Sequence, residues 1–166
     1  MSEMQNPTDP PWLMHARRHM GLREVKGPKH SAEIVQFWKD IKRGGIKDDE
    51  TPWCAAFVGS CLEKTGFVST RFESASSYRT WGQKLDHPEV GAVAVIARPG
   101  GAHVFFVVGR DAGGDIVGLG GNQSDAVGFA TFDRARIQTY RWPAEHPLPE
   151  PSTLPPASAA MLSRAD

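Results

Sequence analysis

The chain has 166 residues, 40% apolar and 23% charged, enough greasy material for one domain-sized core and too much for a disordered chain. Nineteen basic residues balance nineteen acidic ones, which excludes a broadly cationic nucleic-acid binder of the kind that works by displacing counterions. No run of about 18 apolar residues is present, so no membrane span is expected.

Residues 1–11 carry no charged-then-apolar leader, so synthesis in the cytoplasm without a secretory signal is expected. Asp9 is placed to cap a first helix with Pro10 and Pro11 in its opening turn, Trp12, Leu13, Ala16 and Met20 as its apolar stripe, and Gly21 as its stop. A break at Lys26-Gly27-Pro28 precedes a second helix, capped by Ser31, with Ile34, Phe37, Trp38 and Ile41 on its buried face. Thr51 and Pro52 open a third. There Cys54, Phe57, Val58, Cys61 and Leu62 recur at helical spacing, and Gly66 ends it.

From Val90 the period turns extended. Strands are expected at Val90–Ala97, Ala102–Val108, Ile116–Leu119, near Val127–Phe132 and at Ile137–Trp142, separated by turns such as Arg98-Pro99-Gly100-Gly101 and Asp111-Ala112-Gly113-Gly114. Helices first and strands second predict an α+β fold built on an antiparallel meander. Beyond Trp142, six prolines lie among Ala, Ser and Glu. That composition predicts a domain over 1–142 and a flexible tail over 143–166.

Cys54 and Cys61 are the two cysteines. Seven residues apart on one helix, their Cα atoms would be separated by about 10.5 Å, too far for a disulfide. Both are expected to be free thiols.

Cys54 falls in the first turn of its helix, where the macrodipole favours an anion and a thiol can become a thiolate nucleophile. His103 opens an apolar strand after Gly100-Gly101, positioned to take and return the thiol proton with a pKa near neutrality. Leu119-Gly120-Gly121-Asn122-Gln123 ends the next strand, and a hairpin brings it back beside His103. Asn122 then serves to fix the imidazole tautomer. Each residue also has a plain structural reading: a buried small hydrophobe, a satisfied core histidine, and an asparagine tolerating a left-handed turn.

Taken together, Trp53-Cys54-Ala55-Ala56-Phe57-Val58, Gly101-Ala102-His103-Val104 and Leu119-Gly120-Gly121-Asn122-Gln123 resemble the CHAP and NlpC-type papain-like superfamily over about residues 10–142. That superfamily consists largely of bacterial and phage enzymes cutting amide bonds of peptidoglycan. The resemblance implies a papain-like fold and a cysteine amidase or endopeptidase, with Cys54 as nucleophile, His103 as base and Asn122 as orienting residue. Trp53, Trp81 and Gln123 are expected to line the substrate groove. In many CHAP domains a glutamate two positions before the asparagine orients the histidine; here that position is Gly120, and Gln123 stands nearby as a substitute.

No metal or other cofactor is expected. The partners implied are a peptidoglycan stem peptide and an immunity or delivery protein, with the chain itself a monomer. Action on the cell wall, in the periplasm or outside the cell, then follows from release as a phage lysin or delivery as an antibacterial effector. The other reading is a non-catalytic wall- or protein-binding module on the same fold. His15 and His19 have metal-ligand spacing but flank Ala-Arg-Arg, whose charges oppose a cation. Asp48-Asp49-Glu50 lacks the alternating oxygen spacing of a calcium loop.

Overall fold

The computed structural model describes residues 9–25, 30–48 and 51–159. The residues at Lys26-Gly27-Pro28, Asp49-Glu50, the first eight positions and the last seven lie outside that range. Three α-helices come first: α1 (Pro11–Arg17), α2 (Ala32–Asp40) and α3 (Cys54–Glu63). A 3-10 turn at Ala75–Thr80 leads into β1 (Gln83–Leu85), β2 (Val93–Arg98), β3 (Gly101–Arg110), β4 (Ile116–Gln123), β5 (Ala126–Phe132) and β6 (Ile137–Trp142). The strands form one antiparallel sheet in the order β1-β6-β2-β3-β4-β5. The fold is α+β. No helix among the described residues is long and apolar enough to cross a membrane.

The expected meander holds for β2 through β5 but not for the last strand. β6 returns to the far side of β2, and the three-residue β1, too short to leave a periodic signal, pairs outside it. Two expected caps also differ. Pro10 rather than Asp9 is the N-cap of α1, and the Asp9 carboxylate accepts from Arg17 Nε at 2.6 Å. α3 begins at Cys54 with Trp53 as N-cap, so Thr51 and Pro52 lie outside it. Ser31 does cap α2, its hydroxyl accepting from the Ile34 N–H.

α3 was expected to bury one face, yet every residue from Cys54 to Leu62 is buried. The helix is enclosed by α2 on one side and β3 and β4 on the other. Small residues permit this. A Cβ on Gly59 would come within 2.5 Å of Ile41, and one on Gly121 within 2.7 Å of the Trp53 ring and 2.8 Å of Phe57. Helix and sheet therefore meet at backbone distance, at the end of β4 that faces Cys54.

Over its described residues, 143–159, the segment after Trp142 is not the free tail that its composition predicts. Arg110 N–H donates to Pro155 O and Ala157 N–H donates to Arg110 O, a parallel bridge along the end of β3. Leu154 is buried, Trp142 Nε1 donates to Pro147 O, and Ser152 bonds the buried Glu89 carboxylate through both its N–H and its hydroxyl. Prolines suit this route because an extended strap needs few N–H donors.

Candidate active site

Trp53 contributes no side-chain cap to α3. The cap comes instead from 69 residues away: Asn122 Oδ1 accepts from the Trp53 N–H at 2.6 Å. Glu24 Oε1 completes the arrangement, accepting from Trp53 Nε1 at 2.8 Å and from Asn122 Nδ2 at 3.4 Å. Asn122 reaches this position because it adopts φ 61°, within an irregularity of the β4–β5 register between Gly120 and Gln123. Asparagine tolerates that left-handed conformation better than most residues.

Cys54 is therefore the first residue of a helix whose start is fixed by a strand. The backbone of Val104, Ala55 and Cys54 itself favours the charged sulfur, and Arg98 adds a favourable positive field. These would all stabilise a thiolate, but burial outweighs them and pushes the thiol pKa above its ordinary value. The helix start favours the anion as expected, but desolvation costs more. Cys61, fully enclosed, is pushed further in the same direction; both thiols are free.

His103 lies in β3, 2% exposed, with its ring stacked against Phe105 at 6.0 Å and Phe132 at 5.6 Å. Its Nε2 is 3.1 Å from Gln123 Oε1. The tautomer follows from the carboxamide. Gln123 Nε2 donates to Gly128 O at 2.6 Å and to Gly118 O at 3.4 Å, which aims Oε1 at the ring. An oxygen there requires an Nε2–H donor, leaving the lone pair on Nδ1. Burial lowers the imidazole pKa to about 4, against the raising effect of Gln123 and with a smaller lowering from Arg98. The expected near-neutral pKa is thus corrected: the ring is firmly neutral at pH 7.

The carboxamide bonded to the imidazole is that of Gln123, while Asn122 bonds the Trp53 N–H instead. Gly120 has its own reason to lack a side chain: a Cβ there would come within 2.5 Å of Gln123 Oε1. The glutamine carboxamide fills the space that a side chain at position 120 would need.

Cys54, His103 and Asn122 line one cleft of about 430 Å³, whose other walls include Arg98, Glu73 and Ser74. Val104, whose backbone favours the thiolate, follows His103 directly. No hydrogen bond joins the Cys54 thiol to the His103 ring, whose Nε2 is engaged by Gln123.

The remaining groove assignments are revised. Trp53 is fully buried, hydrogen-bonded to Glu24 and packed near Phe37, so it supports the helix start and touches no solvent. Trp81 lies outside the cleft, donating to Val68 O and meeting Tyr78 edge-on. Gln123 sits behind His103 rather than on a substrate surface. Conversely, Arg98 on the cleft wall escaped the sequence reading as a site residue, and Glu24 bonds Trp53 at the helix start. Arg98 had a signal: a cation paired across a tight Pro-Gly turn from a glycine, two residues before the histidine.

His15 and His19 meet edge-on at 5.2 Å, His19 also meeting Phe37 and Phe57 edge-on, and burial lowers both pKa values. Among the described residues no group of three or more His, Cys, Asp or Glu side chains is placed to hold a metal ion. Asp48 accepts from the Thr51 N–H.

No family model matches the sequence, and comparison with curated proteins and with solved structures finds no match either.

Proposed function

We propose that this chain is a cysteine hydrolase with a papain-like fold of the CHAP/NlpC type, cleaving amide bonds of peptidoglycan. The observation that carries the reading is a thiol at a helix start and an imidazole of defined tautomer lining one cleft, with Gln123 bonded to the far ring nitrogen.

In this reading the reactants wait as neutral thiol and neutral imidazole. When substrate displaces water, His103 Nδ1 takes the thiol proton as sulfur bonds to the amide carbonyl carbon. Contacts of this kind are commonly long in a free enzyme and tighten with substrate bound. The Cys54 N–H, at the open end of α3, is available to the developing oxyanion. The carbon–nitrogen bond then breaks and the imidazolium returns its proton to the leaving amine. Water attacks the thioester with His103 again as base, the carbon–sulfur bond breaks, and the sulfur regains its proton from the imidazolium as the carboxylic acid product leaves. Gln123 stabilises each imidazolium through the same Nε2–H bond. Release as a phage lysin or delivery as an antibacterial effector, with an immunity or delivery protein as partner, belongs to the same proposal.

A second reading, a wall- or protein-binding module on this fold, draws on the absence of a thiol–imidazole hydrogen bond and on the raised thiol pKa. Purified protein is tested on insoluble peptidoglycan by turbidity and by mass spectrometry of the released fragments. Hydrolysis by the parent and its loss in Cys54→Ala and His103→Ala support the enzyme; equal clearing by Cys54→Ala refutes it. Retained binding to the wall with no released fragments selects the module.

A further inference from the structure

Arg98 stands where a substrate anion would be read. β2 and β3 pair without a bulge from Val93–Phe106 to Arg98–Gly101, so Ile96 faces His103 and Arg98 faces Gly101. Directly paired residues share a face of the sheet and alternate residues return to it, so Arg98 projects on the same face as His103. The two are diagonal neighbours, roughly 7–8 Å apart at the backbone, within reach of a long side chain. Gly101 opposite has no side chain to divert the guanidinium.

The charges of the cleft are unequal. Its lining holds one carboxylate, Glu73, which pairs with Arg43 at 3.2 Å, and one guanidinium, Arg98. Arg98 is exposed, and among the described residues it has no carboxylate partner. Its field is nevertheless felt at both Cys54 and His103. A cation held at the end of a paired strand, beside Cys54 and His103 and with no carboxylate partner among the described residues, has the chemistry to recognise a planar anion. The imidazole must deliver its proton to the leaving amine. The hairpin tip beyond it is therefore on the leaving-group side of the sulfur.

We propose that Arg98 forms an anion subsite that pairs with a free carboxylate borne by the substrate on the leaving-group side of the scissile amide. This rests on the amide-hydrolase reading for the bond cut, but the subsite itself needs only binding.

The probe is insoluble peptidoglycan, either untreated or with its free carboxylates converted to carboxamides by carbodiimide and ammonium. The parent is expected to cleave the untreated wall at least tenfold faster than the amidated wall. Arg98→Gln should lose most of that preference by slowing far more on the untreated wall than on the amidated one, with KM rising more than kcat falls, and Arg98→Lys should recover part of it. Sedimentation with Cys54→Ala and Cys54→Ala/Arg98→Gln reads the subsite without turnover, and the first should bind the untreated wall better by a similar factor. A preference that survives Arg98→Gln, or equal handling of both walls by the parent, overturns the subsite. Where nothing is cleaved but binding by Cys54→Ala depends on both carboxylate and Arg98, the subsite stands and the hydrolase reading falls. Where binding shows no such dependence, the subsite falls with it.

Discussion

Burial sets the chemistry at position 54 more strongly than the helix start does. Nearby backbone and a guanidinium favour the thiolate, yet enclosure of the sulfur wins and the thiol pKa lies above its usual value. Alkylation of Cys54 by iodoacetamide should therefore be slower at pH 6 than that of an exposed thiol and accelerate only as pH passes the ordinary thiol range. Fast labelling at pH 6 would mean a preformed thiolate. The proposed base behaves oppositely: with His103 near 4, kcat/KM should hold down to about pH 5 rather than fall below 6.5. A pH–rate profile in saturating buffer checks it. The two carboxamides separate cleanly. Gln123→Ala removes the imidazole's orienting partner and is expected to lower kcat roughly tenfold to a hundredfold, a loss typical of groups that orient a working side chain. Asn122→Gly keeps the backbone at φ 61° but removes the acceptor for the Trp53 N–H, costing about 1 kcal/mol in a denaturant titration. Adjacent positions, Asn122 and Gln123, could be recognised in the sequence as a pair but not assigned. The left-handed backbone of Asn122 itself, φ 61°, decides which one faces the ring, and no spacing rule encodes that.

At the level of elements, the third helix and the strands after it were readable because their apolar residues recur with clear periods. What escaped was long-range. β1 has three residues and no period, β6 crosses back to the opposite side of β2, and the cap of α3 comes from the end of β4. The strap after Trp142 misled because prolines signal the lack of regular structure, not the lack of contacts. Arg110, Gly109 and Glu89 hold it at residues a composition argument never consults. Leu154→Ala should therefore cost about 2 kcal/mol, as for a buried leucine rather than a free tail. An unchanged melting temperature would detach the strap from the core. Gly121→Ala addresses the other junction. Its methyl would meet Trp53 and Phe57 inside contact distance, so it should cost about 1–3 kcal/mol and, by displacing the start of α3, lower kcat as well.

The whole molecule inherits a stability window from the same buried groups. His103 titrates near 4 when folded and near 6.5 when unfolded, so between those values the unfolded chain binds more protons. Stability is then complete above 6.5 and lost as pH falls towards 4. For this residue alone the loss is about 3 kcal/mol between pH 7 and pH 4. His15 and His19 are shifted the same way and add to it. On the alkaline side the sign reverses. The thiols of Cys54 and Cys61 and the buried Tyr78 hydroxyl all hold their protons more tightly when folded, so stability declines as pH rises through the ordinary range of those groups. The group that would give up stability in acid is the same one that would serve as base, which ties the working range of the site to that of the fold. Urea titrations of the parent and of His103→Asn from pH 7 to pH 4 isolate the contribution. The variant should be flatter over that range by about 3 kcal/mol. Parallel curves would mean that the imidazole is not buried in its neutral form, and would undo the acid limb assigned to it above.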